Sequence, residues 1–241
     1  MWTLLLLLSL LASEAKRTTT PIPPHLRIQN ISGIDFARRP LNFYIVANGK
    51  HAKIENRTAT INGEEIFYRE SFPPFSIKHR GDVLLLHGKA SSSAEWTRER
   101  PSLLQMLAAS GHRTVALDLP GFGSGKSKGQ KPADPADFLF AFVKTVGLQN
   151  LTLVAPSSSG VFAVPFIGRF QKSLEAIVPF DVCCAAETDW KRVEIPVLII
   201  NGKEESPPAA APNHRVETVA TEAPEELARL LVNFLDVLHP R

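Results

Sequence analysis

Cysteine is scarce in this sequence: its 241 residues include two, Cys183 and Cys184, which are neighbours in the chain. Neighbouring cysteines are badly placed to bridge each other, and two cysteines are too few for a cysteine-based zinc site. The composition therefore excludes a disulfide-stabilised scaffold and a structural zinc site of that kind. Neither cysteine is interpreted as catalytic.

The sequence also lacks an excess of charge of one sign. Lysine and arginine total 27 against 24 aspartate and glutamate, a formal net charge of +3, so nucleic acid is not predicted as a partner. Hydrophobic residues make up 44% and charged residues 21%, and the mean hydropathy is −0.02. These values exclude a disordered or collagen-like chain and predict one large globular domain with additional segments.

A hydrophobic run long enough to cross a membrane is missing. Residues 4–11, with Trp2 and Ala12, form an apolar core of about ten residues, as in a signal peptide, whereas a spanning helix needs about 20. We therefore expect residues 1–15 to be a signal peptide or a short membrane anchor. This predicts a secretory-pathway or membrane-associated protein; a cytoplasmic location is the alternative if the segment does not target.

The next segment, residues 16–50, is predicted to be a linker, because residues 18–24 carry three threonines and three prolines. The folded domain is expected over residues 51–241. Three N-glycosylation acceptor patterns begin at Asn30, Asn56 and Asn150. If the protein enters the secretory pathway, we expect these asparagines to be glycosylation sites.

The apolar pattern of the domain predicts the α/β class. Residues 57–61 and 64–69 flank Asn62-Gly63, a pair typical of a tight antiparallel hairpin turn. Short apolar runs then alternate with helical patterns, which predicts a mainly parallel sheet with helices on both faces. The predicted strands are residues 83–86, 114–117, 151–154, 176–180, 196–200 and 216–219, and the main predicted helices are residues 96–109, 135–146, 161–170 and 224–238.

Ligands bind at the carboxyl ends of parallel strands, so the residues that follow each strand are the candidates for a site. One strand is followed by Ala155-Pro156-Ser157-Ser158-Ser159-Gly160 and then by a predicted helix. This order matches a nucleophile elbow in which other small residues replace the two outer glycines. Ser157 occupies the nucleophile position. The alternative at this stage is a serine-rich helix cap.

The segments that follow the predicted strands 83–86 and 114–117 supply further candidates for the site. The backbone N–H groups of Lys89 and Ser158 are expected to stabilise the negative oxygen of an acyl-transfer intermediate. His87 and Gly88 are interpreted as scaffold of the oxyanion turn, and Asp118 as the residue that holds the Gly-Phe-Gly turn after it.

The same segments resemble a known family. They are IFYRE at residues 66–70, VLLLHGKA at 83–90, VALDLPGFG at 115–123, PSSSG at 156–160 and PF at 165–166. Together they resemble the α/β-hydrolase superfamily and, within it, the abhydrolase domain-containing protein 14 family, especially its form A. The resemblance implies a small, lidless serine hydrolase or acyl transferase, acting on a small acyl ester, thioester or amide. No bound cofactor is expected. The resemblance implies coenzyme A as a co-substrate that accepts the acyl group.

The remaining catalytic groups depart from the family pattern. The resemblance places the acid at Glu205, three residues after Gly202, with Asp181 as the alternative acid. The general-base histidine should follow the last strand, but residues 220–224 contain none. His214 lies before that strand, at the wrong edge of the sheet. The proline-rich stretch from residue 202 to 215 is also short for a crossover, so we interpret the region 202–224 as shortened by a deletion.

Two other hypotheses stay open. A chain without its general base can be a catalytically impaired binding or scaffold protein that keeps the fold, with a protein partner that the sequence does not name. The segment Gly121–Ser127 also resembles a phosphate loop, although its spacing is one residue short. The sequence excludes neither hypothesis, but neither explains the serine-containing turn as well as acyl chemistry does.

Overall fold

The computed structural model describes residues 30–123, 125–127, 129–202, 211–218 and 224–240. These residues build one eight-stranded sheet and the helices that pack on it. The strands are β1 (Glu55–Ile61), β2 (Glu64–Ser71), β3 (Gly81–Leu85), β4 (His112–Leu117), β5 (Leu151–Pro156), β6 (Leu174–Phe180), β7 (Val197–Asn201) and β8 (His214–Thr218). The α-helices are α1 (Phe43–Gly49), α2 (Leu103–Ala109), α3 (Pro135–Val146), α4 (Gly160–Phe170) and α5 (Pro224–Leu238).

The strand order in the sheet is β1-β2-β4-β3-β5-β6-β7-β8. Strand β2 is antiparallel to β1 and to β4. The other six strands, β3 to β8, run parallel to one another. The predicted hairpin is present: Asn62 and Gly63 have φ angles of 52° and 87°, the left-handed conformation that a type I′ turn requires. The predicted α/β class and mainly parallel sheet are confirmed.

Helices cover both faces of the sheet, and β3 accordingly carries apolar side chains on both of its sides. Leu84, and Leu86 just after the strand, pack into the core beneath α3 and α4, whereas Val83 and Leu85 pack into the core beneath α1, α2 and α5. Successive side chains of a strand point to opposite faces, so both sets are removed from water. The carboxyl ends of β3 and β5 are thereby held side by side in a rigid layer.

The predicted helix over residues 96–109 is wrong in its first half. Residues Ser93–Thr97 form a short 3₁₀ turn, and α2 begins at Leu103. Proline at position 101 interrupts the helical backbone, and Ser102 then starts α2 with a reciprocal cap. In this cap Gln105 N–H donates to Ser102 Oγ, and Ser102 N–H donates to the Gln105 side-chain oxygen.

Residues 30–50, within the predicted linker, pack on the domain. Ile31, Phe36 and Ile45 are buried in the same core as α5. The Phe36 and Phe234 rings meet edge to face with centroids 5.5 Å apart, and Asn233 Nδ2 donates to Phe36 O at 2.8 Å. This part of the segment therefore adds core contacts to the domain.

The predicted signal peptide or anchor, residues 1–15, lies outside the described residues. In the part of the chain that the structure describes, every helix is too short or too polar to cross a bilayer. Among the predicted glycosylation acceptors, Asn30 and Asn56 are exposed, and Asn150 is half-buried next to the first residue of β5.

Candidate functional site

Ser157 lies at the sharp turn between β5 and α4. Its φ angle is +47°, a left-handed conformation that non-glycine residues rarely adopt, and its side chain is exposed. The preceding Ala155 is fully buried, and Ser159 on the other side donates its hydroxyl to Pro156 O at 2.6 Å. A strained serine exposed at the carboxyl edge of the sheet is the arrangement of a nucleophile elbow.

The loop after β6 supports this turn from one side. The backbone N–H of Cys183 donates to the carbonyl oxygen of Ser157 at 3.0 Å. A Cβ atom added at Gly160 would lie 2.2 Å from the carbonyl oxygen of Cys183, so only glycine fits at the start of α4. The sequence analysis did not identify Cys183 as a support of this turn, because the contact joins two loops that follow different strands.

The turn after β3 approaches Ser157 from the other side. A Cβ atom added at Gly88 would lie 3.8 Å from Ser157 Cβ and 4.0 Å from Ser157 Oγ. The backbone N–H of Lys89 donates to Ser158 Oγ at 2.6 Å. The structure thus brings Gly88, Lys89, Ser157 and Ser158 together, and it gives the Lys89 N–H a partner inside the chain. A substrate oxygen has to replace that partner to use this donor.

His87 holds the turn after β3 in place. The ring is fully buried; its Nε2 accepts from Leu119 N–H at 2.8 Å and its Nδ1 lies 2.9 Å from Gly88 O. A backbone N–H can only donate, so Nε2 is the unprotonated nitrogen and Nδ1 carries the hydrogen. Burial lowers the pKa of the His87 imidazole, which favours this neutral form. Both ring nitrogens are occupied by bonds within the chain, so neither is free to accept a proton from Ser157 in this arrangement.

Asp118 joins the loops around the site. Its carboxylate is 99% buried and accepts from Ser93 N–H at 2.7 Å and from Lys126 N–H at 2.6 Å. The Lys126 ammonium lies 4.9 Å from the centre of the Phe67 ring. The segment from Gly121 to Ser127 also ends before α3 begins at residue 135, whereas a phosphate loop opens directly into a helix. These contacts argue against the phosphate-loop hypothesis.

Of the two candidate acids, Asp181 and Glu205, the structure describes Asp181. Asp181 follows β6, and the pairing of Pro156 with Phe180 places it beside Ser157 at the edge of the sheet. Its Oδ1 accepts from Gly202 N–H at 2.8 Å, so this carboxylate fixes the end of β7. Glu205, the acid that the family resemblance implies, lies outside the described residues and stays a prediction.

The described histidines lie away from Ser157, except for His87. His214 begins β8 at the amino edge of the sheet, and its Nδ1 contacts Ala211 O at 2.5 Å. His112 and His239 are buried at that same edge. Among the residues that the structure describes, no histidine nitrogen bonds to the Ser157 hydroxyl, and no group of three metal-binding side chains is present.

Glu95 is a further carboxylate on the loop after β3 that the sequence analysis missed. Burial raises the pKa of Glu95, and the Ser91 hydroxyl donates to its carboxylate. The segment Ser92–Glu95 matches a capping pattern, which signals the start of a helical turn and gives no indication of a role at the site. Burial therefore favours the protonated form of the Glu95 carboxyl group.

Comparison with known proteins identifies relatives over most of the chain. A family model described as the α/β hydrolase fold matches residues 82–192. ABHD14B of Rattus norvegicus, which carries protein-lysine deacylase as a provisional name, is 32% identical over 210 residues, covering 78% of this chain and 99% of that protein. ABHD14A of Danio rerio is 31% identical over 240 residues, covering 89% of this chain and 87% of the relative.

Other matches are shorter or more distant. ABHD14A of Homo sapiens is 38% identical over 149 residues, which cover 60% of this chain and 54% of that protein. The crystal structure of a predicted CIB-like hydrolase from Thermoplasma acidophilum has a TM-score of 0.64 at 20% identity, covering 76% of this chain and 98% of that chain. That likeness shows the fold. With relatives of both forms matched over most of their length, the chain belongs to the ABHD14 family of α/β-hydrolases.

Proposed function

We propose that this protein is a serine hydrolase or acyl transferase in which Ser157 accepts a small acyl group from an ester, thioester or amide. The observation that carries the proposal is the position of Ser157: exposed, with a φ angle of +47°, at the end of β5 and facing Gly88. A serine held in this strained conformation presents its hydroxyl to a carbonyl carbon with little reorganisation.

The reaction begins when Ser157 Oγ attacks the acyl carbon and loses its proton to a base or to water. The carbonyl oxygen becomes negative, and the N–H groups of Ser158 and Lys89 stabilise it. Lys89 N–H becomes available once the Ser158 hydroxyl turns away from it. The leaving group then takes a proton and departs, which leaves an acyl ester on Ser157. Water or the thiol of coenzyme A attacks this ester and releases the acyl group.

The step that removes the serine proton is slow in this proposal. Both ring nitrogens of His87 are occupied. The proposed acid, Glu205 or Asp181, contributes to proton transfer only by orienting a histidine that takes the serine proton. An oxyanion site and substrate binding without a functioning triad still give about 10³ to 10⁴-fold catalysis over water. We therefore expect weak turnover, with the acyl group persisting on Ser157 after it has formed.

The names of the relatives suggest a class of substrate. ABHD14B proteins of three mammals are named provisionally as protein-lysine deacylases. An acylated lysine is an amide, so it falls within the class of substrate proposed for Ser157. We include Nε-acyl-lysine peptides as candidate substrates for this chain.

Targeting to the secretory pathway by residues 1–15 is part of the same proposal. Exposure of Asn30 and Asn56 supports it, since an acceptor asparagine has to be accessible. Expression in mammalian cells should give a glycosylated protein whose mass falls on treatment with a glycosidase, and a mass that does not change would contradict this part.

Labelling with a fluorophosphonate probe tests the catalytic proposal. We expect one adduct per chain, its loss in Ser157→Ala, and its retention in Ser158→Ala, the matched control on the neighbouring residue. The competing function is a non-catalytic binding or scaffold protein, favoured by the absence of a histidine bonded to Ser157 among the described residues. No adduct on correctly folded protein at high probe concentration would support that function instead.

A further inference from the structure

The loop after β6 holds two thiols in contact beside the nucleophile turn. Cys183 and Cys184 are free and half-buried, and Cys184 Sγ lies 3.2 Å from Cys183 Sγ. In extended backbone, neighbouring side chains point to opposite sides. Here Cys184 has a φ angle of +63°, and the two sulfur atoms meet.

This loop is connected to Ser157 through its backbone. Cys183 N–H donates to Ser157 O at 3.0 Å, and the Cys183 carbonyl lies against Gly160 with no room for a side chain between them. On the other side, Cys184 O accepts from Glu187 N–H at 2.9 Å, which fixes the following turn. The peptide between the two cysteines is therefore in direct contact with the turn that carries Ser157.

We propose that Cys183 and Cys184 form a redox modification site, in which a low-molecular-weight disulfide oxidises the two thiols to a disulfide between neighbouring residues and lowers the reactivity of Ser157. The modification itself is independent of the proposed function, whereas its effect on Ser157 reactivity rests on it.

The oxidation is a double thiol–disulfide exchange with an oxidant such as glutathione disulfide. The Cys183 thiolate attacks one sulfur of the oxidant, and one glutathione thiolate leaves. Cys184 then loses its proton, attacks the Cys183 sulfur of the mixed disulfide and releases the second glutathione. Two protein thiols are oxidised while one glutathione disulfide is reduced to two thiols. The hydrogen bond that Cys184 donates to Cys183 raises the pKa of Cys184 to about 11, so the Cys184 thiol keeps its proton at neutral pH until the second exchange.

The product is a labile disulfide and differs from the structural bridge that the sequence excludes. Cα atoms of consecutive residues lie about 3.8 Å apart, below the usual range of about 4.4–6.8 Å for disulfides, so ring closure has to twist the intervening peptide. A bond strained in this way is readily reduced, as reversible disulfides are. The same twist disturbs the hydrogen bond from Cys183 N–H to Ser157 O.

The experiment treats the reduced full chain with excess glutathione disulfide and measures the mass of the peptide that contains both cysteines. We expect this peptide to lose two hydrogen atoms, to retain no glutathione, and to recover its mass with a dithiol. Fluorophosphonate labelling of Ser157 should slow about fivefold, the factor for losing one ordinary hydrogen bond. The double variant Cys183→Ser/Cys184→Ser is the control, and its labelling rate should not respond to the oxidant.

Two results would overturn the proposal. A stable glutathione adduct or a disulfide-linked dimer in place of the internal ring would remove the modification site, and ring closure with an unchanged labelling rate would remove its coupling to Ser157. If neither redox form labels, the proposed function fails separately. Hydrogen exchange of the segment 155–160 then decides the coupling: faster exchange in the oxidised wild type supports it, and equal exchange contradicts it.

Discussion

The backbone N–H of Lys89 donates a 2.6 Å hydrogen bond to the hydroxyl oxygen of Ser158, the residue next to the proposed nucleophile Ser157. This donor is one of the two that the oxyanion of an acyl-transfer intermediate would need. In the resting protein it is therefore occupied by an internal acceptor. Each substrate carbonyl that uses Lys89 N–H has to compete with the Ser158 hydroxyl.

Removing that competitor should speed acylation. We expect Ser158→Ala to label with a fluorophosphonate about fivefold faster than the wild type, because one hydrogen bond of about 1 kcal/mol no longer has to be broken. Ser158→Thr keeps a hydroxyl at the same position and should label at close to the wild-type rate. Equal or slower labelling of Ser158→Ala would show that Lys89 N–H does not contact the reacting oxygen.

The space above Ser157 should tolerate little added volume. In Gly88→Ala the new methyl group would lie 4.0 Å from Ser157 Oγ, an ordinary contact that leaves the fold intact. Because this methyl occupies room that the acyl group needs, we expect labelling to slow at least about tenfold. Circular dichroism and a urea melt check the fold. Labelling at the wild-type rate would place the acyl group on another side of Ser157.

Two glycines of α4 should respond to alanine in opposite directions. Gly160→Ala would place its Cβ 2.2 Å from Cys183 O, and we expect a loss of about 2–3 kcal/mol of unfolding free energy. Gly168→Ala meets no atom within 4 Å and should gain about 0.5–1 kcal/mol from helix propensity. Urea denaturation of both variants measures the difference. Similar stabilities would mean that the loop after β6 does not pack against Gly160.

Acid should destabilise the fold through buried histidine. Burial, and next the neighbouring His239, lower the pKa of His112 well below that of an exposed imidazole. In the unfolded chain the His112 imidazole binds a proton near pH 6.5, whereas in the folded chain it stays neutral at that pH. Above about pH 6.5, His112 therefore adds no pH dependence to the free energy of unfolding. Below that pH the free energy of unfolding falls by up to about 1.4 kcal/mol per pH unit for this histidine. Urea melts between pH 8 and 5 measure the slope.

The matched variants for this pH dependence are His112→Gln and His51→Gln. The first removes the buried imidazole and should flatten the slope between about pH 6.5 and 5, with His87 accounting for part of what is left. The second changes an exposed histidine and should keep the wild-type slope. Equal slopes in all three proteins would show that His112 is protonated in the folded state.

Features that depend on local chemistry could be predicted from the sequence. Asn62-Gly63 marks the hairpin, and small residues around Ser157 between an apolar run and a helical pattern mark the turn. The predicted helix begins too early because Trp96 lies seven residues before Leu103, in helical phase with the apolar residues of α2, although the backbone at Pro101 and Ser102 between them is not helical.

Contacts between distant segments could not be predicted in this way. Lys89 N–H and Ser158 Oγ are 69 positions apart, and the Phe36 contact with Phe234 joins opposite ends of the chain. Backbone groups also look the same at every position of a sequence, so the support that Cys183 gives to Ser157 has no sequence signal. The role of Glu205, the targeting segment and the deletion between residues 202 and 224 stay predictions.

Isolation of an acyl-enzyme is the decisive experiment for Ser157 as the nucleophile. The protein is mixed with an activated acetyl ester, quenched in acid and digested, and the acetylated residue is identified by mass spectrometry. We expect one acetyl group per chain on Ser157, formed slowly, stable for long enough to isolate, and absent from Ser157→Ala. Acetylation that persists in Ser157→Ala, or folded wild-type protein that gains no acetyl group on Ser157, would contradict this role of Ser157.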